Sequence, residues 1–309
     1  MNFWPKRRRG TGAYQLQQEF KKFLQEQAKL NELHKAMREV ELYESYVQMI
    51  RTVHQEADEP IDWESVRTQS PTFTPDDPGP REQQAQHELA QYQPSFWDRL
   101  FGRTRKERTA LEELVAAARE EDLTEYRIWQ DRMALANRIL DGDETAYVEA
   151  FDKMKPYADL AQLGSEFTCY PTDRRGLIAV EFLVQSQKVI PTEVKTLTKT
   201  GKLSISQMPV TRYHGLEQDY VCSTIFRIAR DMFALLPLEE ILIHATDYQM
   251  NEAIGRMELT TIVSVRIERR VLDTLNMIAI DPSEAVRNFE HRMSFLKTKG
   301  FRPVERLMV

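Results

Sequence analysis

Three residues offer the clearest chemistry in the sequence: Glu181, Glu193 and Lys195. Glu193-Val194-Lys195 lies in the β-prone run Lys188–Leu197, so Glu193 and Lys195 share one strand face. Glu181 lies in the preceding run Leu177–Val184, on a face with Leu177, Ala179 and Leu183, and Ile178, Val180, Phe182 and Val184 make the other face. Both faces are apolar enough to be covered, which predicts a carboxylate in a largely buried sheet. There it needs a partner or a cation. Two carboxylates on adjacent strands plus a lysine suit Mg²⁺ or Mn²⁺. Such an ion takes carboxylate oxygens and leaves positions for water and phosphate. It lowers the pKa of a bound water, which the lysine can orient or deprotonate. The expected metal ligands are Glu181 and Glu193, and the expected catalytic set is Glu181, Glu193 and Lys195.

From Lys188 to Arg212 the chain carries Lys188, Lys195, Lys199, Lys202 and Arg212 against one acid, Glu193. Thr196, Thr198, Thr200, Ser204 and Ser206 add hydroxyls, and Gly201 permits close backbone approach. Such a segment can grip phosphates, which makes Lys199, Lys202 and Arg212 candidate nucleic-acid contacts. It is equally the composition of a solvated hairpin tip with edge lysines. The E-x-K pattern also recurs at Glu19-Phe20-Lys21, on a predicted helix, as a solvated face.

The elements that must position these residues follow from composition and period. The chain has 309 residues, 42 Lys+Arg against 48 Asp+Glu, a net charge of −6, 41% apolar residues and 11 Gly. That supports a buried core and favours helix, and it excludes collagen-like, disulfide-framework and wholesale basic nucleic-acid-coat proteins. Residues 1–12 read as a basic, unstructured N-terminus and residues 13–57 as one long amphipathic helix. Its stripe runs Leu16, Phe20, Phe23, Leu30, Leu33, Met37, Val40, Tyr43, Val47, Ile50 and Val53. Gln27 interrupts one heptad register, so an intramolecular helical hairpin and a coiled-coil dimer both remain open. A Pro-rich loop spans 56–80, and Ser95–Phe101 could start a short helix ahead of Arg103, Arg105, Lys106 and Arg108. Further helices are predicted over 106–120, 122–140 and 144–163. Strands follow near 166–170, 177–184, 188–197 and 202–205, then a helix over 212–235 and strands over 240–245 and 259–267. Helices over 269–277 and from Pro282 to about 296 complete the order. The expected fold is α+β: a helical region, 13–142, followed by a mixed-sheet α/β domain, 143–309.

A strand acid, a strand E-x-K, a helix and a further strand resemble the core of the PD-(D/E)xK, or restriction-endonuclease-like, nuclease superfamily. The match covers residues 144–245, in the order α-β-β-β-α-β. The resemblance implies that Glu181 takes the first acid position, Glu193 the second and Lys195 the lysine. Glu149 would match a helical acid used by some members, and Gln218 and Tyr220 the polar residues on the following helix. The first acid is Glu where the family has Asp. The implied function is a metal-dependent nuclease-like protein that acts on or binds nucleic acid in bacterial DNA defence or processing.

The alternative is a non-catalytic assembly or adaptor protein that uses the helix at 13–57 to bind itself or another protein. No nucleotide, flavin or haem motif is present, because GxGxxG, a Walker A lysine and Gly-x-Ser-x-Gly are all missing. Cys169 and Cys222 are isolated, the basic N-terminus has no apolar run after it, and no stretch of 18 apolar residues occurs. Together these lead to the expectation of a cytoplasmic location and no transmembrane segment.

Overall fold

The computed structural model describes residues 11–93, 104–251 and 253–308, with side chains from Gln18 onward. The basic N-terminus and the Ser95–Phe101 segment lie outside the described residues. Three layers position everything else: a five-stranded sheet, a long helix on it, and a second long helix over that.

The sheet has the order β1-β2-β5-β6-β7, with β1 Glu166–Pro171, β2 Ile178–Leu183, β5 Glu240–Asn251, β6 Arg256–Glu268 and β7 Glu290–Met293. Only β2 and β5 run parallel, with Glu181 opposite His244, and the other neighbours are antiparallel. A parallel pair needs a crossover, and α8, Val210–Leu235, supplies it. From Leu216 to Leu235 that helix is buried at nearly every position, with an apolar side on the sheet and a side carrying Ser223, Thr224, Arg227 and Asp231 away from it. Ile225, Ile228 and Met232 are fully buried, as are Ile178, Val180, Ile241 and Ile243 on the sheet.

The second cover is α1, Thr11–Thr52. Its C-terminal half lies on α8, with Ile50, and Val53 of the turn that follows, in the core. Beyond it the chain stays tied to α8: the His54 amide donates to Ser223 Oγ at 3.0 Å, the Ile61 amide to the Ala234 carbonyl at 2.9 Å, and Trp63 Nε1 to the Leu235 carbonyl at 2.6 Å. Arg227 of α8, 7% exposed, pairs with Asp231 one turn on and reaches Glu56 at 3.1 Å. The Asp58 amide donates to Asp231 at 2.9 Å. Burial pushes the Asp231 carboxyl up to about 6, while the Arg227 guanidinium acts in the opposite sense.

The helical region differs from expectation in its breaks. The Pro-rich loop contains a short helix, α2, Trp63–Thr68, and α3 runs Pro80–Gln91. The two helices expected over 106–120 and 122–140 are one, α4, Thr104–Leu140. The charged run Glu120-Glu121-Asp122 does not break it, because Asp122 faces α3. There it accepts the Glu82 amide at 2.9 Å, and Gly79 leaves room that a Cβ would fill. The helix expected over 144–163 is two, α5 Glu144–Met154 and α6 Ala158–Leu163, parted at Pro156.

The third strand of the nuclease-like order is not in the main sheet. Ser186–Val189 forms one helical turn, α7, and β3, Glu193–Leu197, pairs only with β4, Leu203–Gln207. The open edge of β2 is taken instead by β5. The helix expected over 269–277 shortens to α9, Arg269–Leu272. The one expected from Pro282 to 296 shortens to α10, Pro282–Ala285, because His291 and Met293 pair with β6. A small pair, β8 Phe295–Leu296 and β9 Gly300–Phe301, leads into the C-terminal segment.

Replacing Arg227 by Met leaves Asp231 buried without its cation. We expect urea denaturation to show a loss of about 3–5 kcal/mol, whereas a loss below about 1 kcal/mol would remove this pair from the account of how α1 is held.

Candidate functional site

Glu181 lies on the sheet face away from α8, in a patch built from five elements. Thr168 is opposite it on β1 and His244 opposite it on β5, and Ser264 of β6 is opposite His244. Residues Arg302–Met308 cross this face as a strap. Leu307 is buried beside Leu177, Ala179 and Leu242. Arg306 reaches Glu181 at 2.8 Å, Thr261 Oγ1 at 3.1 Å and the Tyr170 hydroxyl at 3.4 Å. The buried Ser264 hydroxyl accepts the Leu307 amide at 2.9 Å and lies 2.9 Å from His244 Nδ1. Burial, with Arg306 adding to it, pulls the His244 imidazole down to about 4. A neutral histidine beside a serine can activate a nucleophile, but here the strap seals Ser264 and occupies its hydroxyl.

The other two members of the predicted catalytic set lie elsewhere. Glu193 is exposed on β3, opposite Gln207. Lys195 is half-buried and pairs with Glu39 of α1 at 2.7 Å, which holds that carboxyl below its ordinary range. Glu181 is thus neutralised by Arg306 in one sheet and Lys195 by Glu39 in another. The structure brings Glu193 and Lys195 onto one strand face and does not bring Glu181 to them. Among the described residues, no three His, Cys, Asp or Glu side chains are arranged to hold a metal ion.

The remaining predicted residues have identifiable surroundings. Lys199 and Lys202 are exposed at the β3–β4 turn, where Gly201, at φ +78, packs against Leu33 of α1. Arg212 is exposed in the first turn of α8. Glu149 bridges Arg138 at 2.6 Å and Lys153 at 2.7 Å, and so joins α4 to α5. Gln218 is half-buried on α8. Tyr220 is fully buried, bonded to Ser165 Oγ at 2.8 Å, and its phenol is pushed up to about 12 by burial.

A second polar group, which sequence reasoning missed, sits at the C-terminal ends of the parallel strands. Glu217 of α8 and Asp247 of β5 are both buried. His214 Nδ1 lies 3.1 Å from Glu217, and Asp247 accepts the Ser186 amide at 3.2 Å. Burial raises the Glu217 carboxyl and His214 offsets part of that rise. His214 and Glu217 are three residues apart on α8, but only the β2–β5 pairing brings Asp247 and Ser186 to them, and no spacing in the chain announces that. Their polar atoms are occupied by one another and by backbone.

An exposed apolar surface lies on α1. Ala36 and Val40, facing the body, are 6% and 9% exposed, whereas Phe20, Phe23, Leu30 and Met37 are 61%, 54%, 44% and 48% exposed. No helix among the described residues is long and apolar enough to cross a membrane. No protein-family model, curated protein or solved structure matches the chain.

Two measurements test the strap. In a double-mutant cycle of Glu181→Gln and Arg306→Met, this half-exposed pair should show a coupling of about 1 kcal/mol. Zero coupling would mean that the pair does not hold the strap. His244 should also confer acid sensitivity. Its folded pKa lies below its unfolded one, so the unfolded chain binds the extra proton between them. The His244 contribution should be complete above about pH 6.5 and fall by about 3 kcal/mol towards pH 4, while the raised Asp231 carboxyl contributes in the opposite sense over the same range. The native chain should therefore lose about 3 kcal/mol relative to His244→Gln between these pH values, and two profiles of the same shape would contradict the burial argument.

Proposed function

We propose that this protein is a non-catalytic assembly or adaptor module, with the uncovered face of α1 as its contact surface and the α+β body as the rigid part it carries. The supporting observation is the contrast along one helix. The 42-residue α1 buries its C-terminal half against α8 and the β3–β4 hairpin, while the first half holds out Phe20, Phe23, Leu24 and Leu30. A helical half without tertiary packing is marginal in water, so a face of this kind implies a partner. A metal-dependent nuclease built on Glu181, Glu193 and Lys195 would have to break the Arg306 and Glu39 ion pairs and bring two sheets together.

The triple substitution Phe20→Glu, Phe23→Glu, Leu30→Glu tests this reading through stability. In dilute solution the melting temperature should stay within about 2 °C of the native chain, because surface changes away from packed features cost little. A large fall would mean that the face is packed within the single chain, and the proposal would be lost.

A further inference from the structure

The uncovered face of α1 is not a continuation of the face that packs on the body. The packed residues are Ala36, Val40, Tyr43, Val47 and Ile50. Carried back towards the N-terminus at the same spacing, that face passes Leu33 and then meets Lys29, Glu26 and Lys22, which are charged. A second line, Leu16, Phe20, Phe23, Gln27, Leu30, His34 and Met37, runs in strict steps of four and three and is apolar at five of its seven positions. At 100° per residue the two lines lie roughly 100–140° apart on the helix. The second line ends at Glu41 and Glu44. It is a seam of three heptads with Phe20, Gln27 and His34 at a and Leu16, Phe23, Leu30 and Met37 at d. Its length, about 33 Å, is that of a short coiled coil.

We infer that the seam pairs with the same seam of a second copy, in parallel and in register. This rests on the assembly reading and names the partner. The flanking charges choose the orientation. Of the g positions, Glu19 and Glu26 are acids, and Leu33 belongs to the packed face. An antiparallel pair sets g against g and brings glutamate to glutamate at the middle of the seam. A parallel pair sets Glu19 against Leu24 and Glu26 against Asn31 of the other copy, without repulsion. A parallel pair also places Gln27 against Gln27 and His34 against His34 in the core, polar pairs that fix register at a cost in stability. The segment Gln18–Lys35 carries Lys21, Lys22, Lys29 and Lys35 against Glu19, Glu26 and Glu32, so net charge does not oppose self-pairing. Because Ala36, Val40, Tyr43, Val47 and Ile50, which pack on the body, are not seam residues, each copy keeps that packing.

The test uses the full chain. Sedimentation equilibrium should show a concentration-dependent dimer, and Phe20→Glu with Phe23→Glu should return it to monomer. Under mild oxidation Gln27→Cys and His34→Cys should each give an interchain disulfide, whereas Gln25→Cys, on the opposite side of the helix, should not. The native Cys169 and Cys222 are buried and do not interfere. A monomer at every concentration overturns the second-copy inference, while the assembly reading is judged separately by the melting temperature of the triple variant. A dimer in which His34→Cys fails to cross-link, or one that survives the Phe20 and Phe23 substitutions, overturns it as well.

Discussion

The constraint on which the rest depends is that α8 is buried on both sides. Its sheet side packs on β2 and β5, and its outer side carries Tyr220, Ser223, Thr224 and Arg227, all buried. Leaving that side open would strip Arg227 of Glu56 and Ser223 of the His54 amide. The C-terminal half of α1 closes it, and the segment after α1 locks the closure through His54, Ile61 and Trp63. The position of α1 is therefore set by α8. A helix fixed over its second half projects its first half in a straight line, because nothing between Thr11 and Thr52 breaks it.

The same logic explains the polar groups. Arg227 with Glu56, Arg306 with Glu181, Lys195 with Glu39 and Arg138 with Glu149 each join elements distant in the fold or tie a helix junction. Every candidate charge except the exposed Glu193, Lys199, Lys202 and Arg212 is engaged in holding one piece of chain to another. Such pairs add little net stability when exposed, but losing one partner of a buried pair is costly. They read as fasteners of an architecture that leaves the first half of α1 apolar and uncovered.

Much of this was legible in the residues. The stripe from Leu16 to Val53 marked α1, the short apolar run Leu177–Val184 marked β2, and the helical spacing of apolar residues in 212–235 marked α8. The failures share a physical cause, which is that strand neighbours are chosen in three dimensions. Nothing in Lys188–Leu197 shows that its first part closes a helical turn with Val189 and Ile190 buried, or that β3 leaves the sheet. Arg306 lies 125 positions from Glu181, and no local pattern could pair them. The start signal at Asp281-Pro282 was genuine, since Asp281 caps α10, yet His291 and Met293 then joined β6. The two faces of α1 were present in the spacing as well. They appeared as one stripe because only the body's position shows which residues it covers.

The claim that α1 is divided between a committed half and a free half is tested most directly by amide hydrogen exchange along the helix in a dilute monomeric sample. Residues 36–52 should exchange only with global unfolding, and residues 18–32 should exchange orders of magnitude faster, gaining protection as concentration rises. Equal, strong protection from 18 to 52 at the lowest concentration would contradict the account, because it would show that the first half of α1 is stabilised within the single chain.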